Sequence, residues 1–98
     1  MPAAPWFLYL IECRNGSIYT GITRDVAARY RAHVDGRGAR YTRMHPPLRL
    51  LASFACRDRS EASRAEAAIK RWPPTRKRDA AEAGCLERDW RADMDADA

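Results

Sequence analysis

Ninety-eight residues predict one compact domain with a small core and leave no room for a second. Apolar residues make up 46% and charged residues 32%, a balance typical of a folded domain and not of a disordered chain. The net charge of +5 is unevenly distributed: residues 1–78 carry 16 Lys and Arg against 6 Asp and Glu (+10), and residues 79–98 carry 2 against 7 (−5), which predicts a polyanionic partner for the basic part.

The chain begins with a predicted hairpin. Trp6 to Cys13 and Ile18 to Ile22 are rich in aromatic and β-branched residues, which favour strands. Asn15-Gly16 lies between them, and this dipeptide is typical of a tight turn.

A helix is predicted after the hairpin. Thr23 is its expected N-cap, with Asp25 in the first turn near the positive end of the helix. Apolar residues recur at i, i+4 and i+8, which predicts a buried stripe of Val26, Tyr30 and Val34. Gly36 and Gly38 end this helix.

The second half of the chain contains a third strand and two helices. A basic loop over residues 37–49 leads into the strand Leu48 to Cys56. Asp58 and Glu61 resemble a capping box, which opens a helix with four buried positions: Ala62, Ala65, Ile69 and Trp72.

Pro73-Pro74 stops this helix because proline cannot continue it. Thr75 is the expected cap of a last helix that runs to Gly84. The predicted order is ββαβαα in one domain over residues 1–90, and the acidic residues 91–98 are predicted to form a flexible tail.

Membrane and secreted classes are not expected. The apolar run Trp6 to Ile11 is too short to span a bilayer, and it lacks the basic flank and cleavage sequence of a secretory signal, so we expect a cytoplasmic protein. Three widely separated cysteines predict neither a disulfide framework nor a zinc site: Cys13, Cys56 and Cys85.

Two tyrosines and an arginine stand at spacings of ten, Tyr9, Tyr19 and Arg29, and Gly21 follows the second tyrosine by two. At these residues the sequence resembles the GIY-YIG nuclease family, in particular its small single-domain (UPF0213-like) members. Leu8-Tyr9-Leu10 corresponds to the first family motif and Tyr19-Thr20-Gly21 to the second.

Further residues carry the same resemblance. The family's arginine matches Arg29, with His33 one turn later, and its metal-binding glutamate matches Glu66. The match runs from about Trp6 to Arg78. It implies an α/β (α+β) domain in which a small three-stranded antiparallel sheet is flanked by three helices.

The resemblance implies phosphodiester hydrolysis by a catalytic set of four residues: Tyr9, Tyr19, Arg29 and His33. A free tyrosine has a pKa of about 10 and is a poor base at neutral pH unless a cation stabilises its phenolate. Arg29 would pair with the phosphate, and Glu66 would hold one Mg²⁺ or Mn²⁺ ion that keeps several waters. One tyrosine would activate water while the other holds the phosphate, and we favour Tyr19 as the base.

Each of these residues also has an ordinary structural interpretation. The tyrosines could be strand aromatics and Arg29 a solvated helix charge. Glu66 stands four residues before Lys70 and could form a helical ion pair with it, and His33 could interact with the helix dipole. The joint order and spacing favour the catalytic interpretation.

The hairpin loop decides whether the two tyrosines can share a site. A two-residue turn at Asn15-Gly16 would put them on opposite faces of the sheet. A three-residue loop with a left-handed Gly16 and a bulge pairs Tyr9 with Gly21 and Ile11 with Tyr19, which puts both rings on one face. We therefore predict the bulged hairpin, with room for a phosphate over Gly21.

Two further groups are predicted to contact nucleic acid, in addition to Gly21. The first could follow the backbone, with the tyrosine stacking on a base, or could be an exposed charged loop: Arg37, Arg40, Tyr41 and Arg43. For the second group, a solvated helix start is the favoured interpretation: Arg76, Lys77 and Arg78.

The sequence thus predicts a metal-dependent endonuclease that acts on DNA, or alternatively on RNA, and selects structure, since so small a surface reads few bases. A protein partner could target it; no membrane contact and no small-molecule cofactor are expected. The alternatives are a nucleic-acid-binding module that does not cut, and a structural or interaction protein whose arginines are compositional. Salt-dependent DNA affinity separates the last class from the others.

Overall fold

A computed structural model of the chain describes residues 5–96. Within them the fold has three strands and five helices, in this order: β1 Trp6–Cys13, β2 Ile18–Thr23, α1 Val26–Val34, α2 Arg40–Met44, β3 Pro47–Cys56, α3 Arg59–Lys70, α4 Pro74–Glu82 and α5 Leu86–Ala96. None of these helices has both the length and the apolar character needed to cross a bilayer.

The strands form one antiparallel sheet in the order β2-β1-β3, so β1 is central and β2 and β3 are edges. The predicted fold class is confirmed. One face packs on α3, α4 and α5 through the larger core cluster, in which Leu8, Leu10 and Ile69 are fully buried. The opposite face carries a smaller cluster around Tyr9 and Ile11, next to α1.

The β1–β2 hairpin has the predicted bulged loop. Tyr9 pairs with Gly21 and Ile11 with Tyr19, and Gly16 adopts a left-handed conformation (φ 87°). Because side chains alternate along a strand, this register brings both tyrosines to the same face of the sheet.

Three residues of the predicted α3 stripe, Ala62, Ala65 and Ile69, are buried on the helix, and Trp72 is also buried but lies just after the helix ends at Lys70. The capping box is present in a modified form, in which Glu61 binds the residue before the N-cap Asp58. The Asp58 carboxylate accepts the backbone N–H of Glu61 (2.9 Å), and the Glu61 carboxylate accepts the backbone N–H of Arg57 (3.0 Å).

The start and the stripe of α1 differ from the prediction. The cap is Asp25, which accepts from the Ala28 N–H (3.0 Å), because Thr23 instead closes a local turn by accepting from the Asp25 N–H (3.1 Å). Val34 is 55% exposed and His33 is buried. At 3.6 residues per turn, position i+7 returns to within about 20° of the first stripe residue, whereas i+8 is rotated by about 80°.

Two helices lie where none was predicted. The first is a short helix, α2, which occupies part of the predicted basic loop.

The last predicted helix, α4, starts at a different residue from the one expected. It begins at Pro74, with Pro73 as N-cap and no side-chain cap from Thr75, because proline suits the first helical position.

The second added helix, α5, continues to Ala96, through residues predicted to form a flexible tail. Its inner side carries Leu86 and Trp90, both buried, and the Trp90 ring stacks on Phe54 with centroids 5.7 Å apart. This apolar anchor orders the segment despite its acidic composition. Residues 97 and 98 of the predicted tail lie outside the described residues.

Candidate active site

The hairpin brings two of the predicted catalytic side chains together. The ring centroids of Tyr9 and Tyr19 are 6.3 Å apart. Tyr9 is almost fully buried, and its ring lies directly over Gly21, where an added Cβ would be 2.5 Å from Tyr9 Cζ. The room expected over Gly21 for a phosphate is therefore filled by Tyr9, and glycine is required there for the close approach of this ring.

A buried chain of hydrogen bonds fixes the orientation of the Tyr9 hydroxyl. The Thr42 hydroxyl donates to the Ala39 carbonyl (3.0 Å), so towards His33 it can only accept. The His33 Nδ1–H therefore donates to Thr42 Oγ1 (2.6 Å). This tautomer leaves His33 Nε2 as an acceptor, and the Tyr9 hydroxyl donates to it (2.9 Å).

Burial sets the charge state of this chain. It raises the pKa of Tyr9 to about 12; the nearby Arg29 guanidinium opposes the shift, and Tyr19 and Glu66 add to it. Burial, with a further contribution from the Arg29 charge, lowers the pKa of His33 to about 4. At neutral pH the pair is thus a neutral phenol that donates to a neutral imidazole.

Arg29 lies on α1 and is partly buried, with no ion pair to any residue in the range 5–96. Its charge lowers the pKa of both Tyr9 and His33. An arginine that is close to two neutral groups and free of a carboxylate partner keeps its guanidinium available for an anion.

The Tyr19 ring is held by aromatic neighbours. It packs edge-on against His33 with centroids 5.1 Å apart and stacks on Tyr41 at 6.1 Å and 19°. The Tyr41 hydroxyl donates to Ser17 Oγ (2.6 Å), so α2 is tied to the hairpin loop. Tyr41 therefore supports Tyr19, and this stack covers one face of the ring predicted to bind a base.

An open groove of about 370 Å³ runs beside Tyr19. Three consecutive residues of β2 contribute to it, so it lies along the outer edge of that strand, with α2 on one side and α3 and α4 on the other. We call it the β2-edge groove; it is lined by Ile18, Tyr19, Thr20, Tyr41, Lys70 and Lys77.

Glu66 projects from α3, and its side chain is 26% exposed. Its Oε2 lies 3.7 Å from Lys70 Nζ, so the predicted helical ion pair is present. Its negative charge also contributes to the raised pKa of Tyr9. No group of three metal-binding side chains occurs in the described part of the chain, so an ion at Glu66 would have to take most of its ligands from water and substrate.

The basic run at the start of α4 divides into three different environments. Arg76 lies over the Trp72 ring at 3.7 Å and pairs with Asp93 at 2.8 Å. Arg78 donates to Glu12 (3.2 Å) and to a loop carbonyl (3.1 Å). Both arginines therefore form contacts within the protein, while Lys77 lies in the groove.

The basic residues of the predicted loop stay at the surface. Arg37 pairs with Asp35 at 3.1 Å, with most of its side chain exposed. Arg40 and Arg43 are exposed on α2, next to the aromatic wall of the groove.

Two residues of this region were not predicted from the sequence: Thr42, and Lys70 as a lining residue of the groove. Thr42 is fully buried and fixes the tautomer of His33, but nothing in the sequence around it indicates this. Lys70 was predicted only as a partner of Glu66, because its approach to β2 arises from helix packing.

Lowering the pH should destabilise the protein through His33. Its pKa is about 4 in the folded chain and about 6.5 in an unfolded one, so between these values the unfolded chain binds more protons and stability is lost as pH falls. We expect a loss of about 3 kcal/mol between pH 7 and pH 4 from this group. Urea unfolding of wild type and His33→Gln at each pH measures it, and parallel curves for the two proteins would contradict a neutral buried His33.

The chain is similar to known proteins of one family. The family model for the GIY-YIG catalytic domain matches residues 5–79. A UPF0213 protein of Xanthomonas axonopodis pv. citri is 59% identical over 73 residues, which cover 74% of this chain and 72% of that protein. A UPF0213 protein of Cupriavidus pinatubonensis is 54% identical over 72 residues, covering 74% and 80%.

Two solution NMR structures are also similar. The UPF0213 protein of Bacillus halodurans is 38% identical, with a TM-score of 0.50 over 81% of this chain and 84% of that one. A protein from E. faecalis is 31% identical, with a TM-score of 0.56 over 86% and 90%.

Proposed function

The chain belongs to the GIY-YIG family, and from this premise we propose that it is a metal-dependent endonuclease that hydrolyses phosphodiester bonds in DNA. The observation that carries the proposal is that Tyr9 and Tyr19 lie together, with the charges of Arg29 and Glu66 acting on Tyr9, and that Tyr19 lines an open groove with two lysines. Hydrolysis of a diester needs a base for water, a cation for the phosphate and help for the leaving oxygen, and this set contains each type of group.

Exposure supports different roles for the two tyrosines. A general base must reach the water that it deprotonates. Tyr9 is 1% exposed and its proton is directed at His33, whereas Tyr19 lines the open groove. We therefore assign Tyr19 as the base, and Tyr9 with His33 as the rigid support that orients the Tyr19 ring.

Arg29 is assigned to the scissile phosphate. Its guanidinium has no carboxylate partner among the described side chains and can offer two parallel N–H groups to phosphate oxygens. These bonds strengthen as negative charge accumulates on the phosphate during attack.

Glu66 is assigned to one Mg²⁺ or Mn²⁺ ion. When bound, such an ion would polarise the phosphate and favour departure of the leaving oxygen. Glu66 must exchange its ion pair with Lys70 for the metal, and this pair is exposed enough to be weak.

The substrate is proposed to be selected by structure. The exposed site consists of one groove beside an edge strand and a short helix with basic residues, which is too small to read many base edges. RNA remains the alternative polyanion, and a protein partner would be needed for strict targeting.

A nucleic-acid-binding module without cleavage is the second candidate. The observation in its favour is the ion pair between Glu66 and Lys70, which neutralises the only carboxylate assigned to the metal. Both candidates predict DNA binding, so only cleavage separates them.

Replacing Glu66 by glutamine distinguishes the nuclease from the non-cleaving binding module. The assay follows nicking of labelled single-stranded, duplex and branched DNA over a range of Mg²⁺ and Mn²⁺ concentrations. We expect wild type to nick at least one of these, and Glu66→Gln to need about 10–100-fold more metal for the same rate, with DNA affinity retained. Glu82→Gln, which removes an exposed carboxylate on α4, is the matched control. Failure of wild type to cut any DNA or RNA in the panel would favour the binding module.

A further inference from the structure

Lys77 differs from its neighbours in the basic run. It is only 7% exposed, and it forms neither an ion pair nor a side-chain hydrogen bond with any residue in the described part of the chain. Lysine is almost never buried without a partner, because removing the ammonium from water costs free energy that a carboxylate normally offsets.

The surroundings of Lys77 raise this cost further. Burial, and then the like charge of Lys70, lower its pKa, and no carboxylate among residues 5–96 opposes them. Next to it in the groove lies Thr20, whose buried hydroxyl has no hydrogen-bond partner within residues 5–96. Two cations and an unpaired hydroxyl around one open space form a site that fits an anion.

The position of the groove indicates which anion. Lys70 stands four residues after Glu66 on α3, about 6 Å further along the helix axis. Tyr19 contributes to both the catalytic cluster and the groove. A strand with its scissile phosphate at Arg29 and Glu66 would continue along this edge of the sheet.

We propose that the β2-edge groove binds the backbone phosphate next to the scissile one, with Lys77 as its fixed cation and Lys70 as a second, mobile one. This inference rests on the proposed nuclease function, because it takes the scissile position from it. The site is itself a binding site, and it can be tested without cleavage.

The first test is the salt dependence of binding. The affinity for fluorescein-labelled oligothymidine is measured by anisotropy at several NaCl concentrations, with EDTA present to prevent cleavage. We expect Lys77→Met to weaken binding about tenfold and to reduce the slope of log Kd against log salt by about 0.7, the value for one phosphate contact on a single strand. Methionine keeps most of the apolar stem and removes the charge.

Arg88→Met is the matched control, since it removes one exposed cation on α5 outside the groove. It should leave the salt slope at the wild-type value. An unchanged slope for Lys77→Met, or an equal fall for Arg88→Met, would overturn the inference.

A second test needs no substitution. The chain has only two lysines, so reductive methylation with [¹³C]formaldehyde labels Lys70, Lys77 and the amino terminus and keeps their charge. We expect the Lys77 methyl resonance to shift on saturation with oligothymidine. A resonance that does not move at saturation would overturn the inference.

The outcomes distinguish this inference from the nuclease function. A reduced slope in a protein that cuts nothing would retain the groove and reject catalysis. An unchanged slope in a protein that nicks DNA would reject the groove and retain catalysis.

Discussion

Replacement of Tyr19 by phenylalanine should lower the rate of nicking by about 10²–10⁴-fold, the usual contribution of a general base. The ring remains, so its packing against His33 and its stack on Tyr41 are kept, and only the hydroxyl is lost. We therefore expect DNA affinity and unfolding free energy close to those of wild type. Single-turnover nicking at saturating protein, together with anisotropy, separates the two effects.

Two variants complete this experiment. Tyr30→Phe removes a phenol from the partly buried side of α1, outside the catalytic set, and should cut at the wild-type rate. Tyr9→Phe leaves His33 Nε2 without its donor, so it should lose about 1–3 kcal/mol of stability and a smaller part of the rate. A Tyr19→Phe protein that cuts normally, beside an inactive Tyr9→Phe protein, would reverse the assigned roles.

The pairing of the hairpin could be predicted residue by residue because the length of its loop determines the register of the two strands. A three-residue loop with left-handed Gly16 determines the register, and the register determines the face of every side chain on β1 and β2. The sequence could not show that the Tyr9 ring itself would occupy the space over Gly21, since that depends on a side-chain rotamer.

The stripe of α1 shows a limit of pattern reading. Val34 is apolar and His33 is polar, so a hydrophobicity pattern selects the wrong one. In the fold, His33 is acceptable inside because Tyr9 and Thr42 satisfy both ring nitrogens. Gly38 then allows the close approach, since a Cβ there would be 2.7 Å from His33 Cγ.

The basic run shows a second limit. Adjacent residues on a helix point about 100° apart, so Arg76, Lys77 and Arg78 must face different surroundings. Which of them faces the groove depends on how α4 docks on the sheet, and the sequence does not contain this information locally. The helix after Gly84 could not be predicted for the same reason: it depends on a contact between distant residues, the stacking of Trp90 on Phe54.

Replacement of Arg29 by methionine should lower the rate of nicking by about 10²–10³-fold, which corresponds to the roughly 2–4 kcal/mol that a donor to a developing oxyanion contributes. Binding should change little, because the contact is strongest in the transition state and the groove retains its lysines. Single-turnover rates and anisotropy at fixed salt measure the two quantities.

Arg31→Met removes an exposed cation from the same helix, and its rate should equal that of wild type. Arg29→Lys restores the charge but not the planar fork, so it should recover only part of the lost rate. Full recovery with lysine would mean that Arg29 acts as a point charge on the Tyr9–His33 pair. A methionine variant that binds weakly but cuts at the normal rate once saturated would mean that Arg29 holds the substrate equally in its ground and transition states, and the assignment to the scissile phosphate would then be wrong.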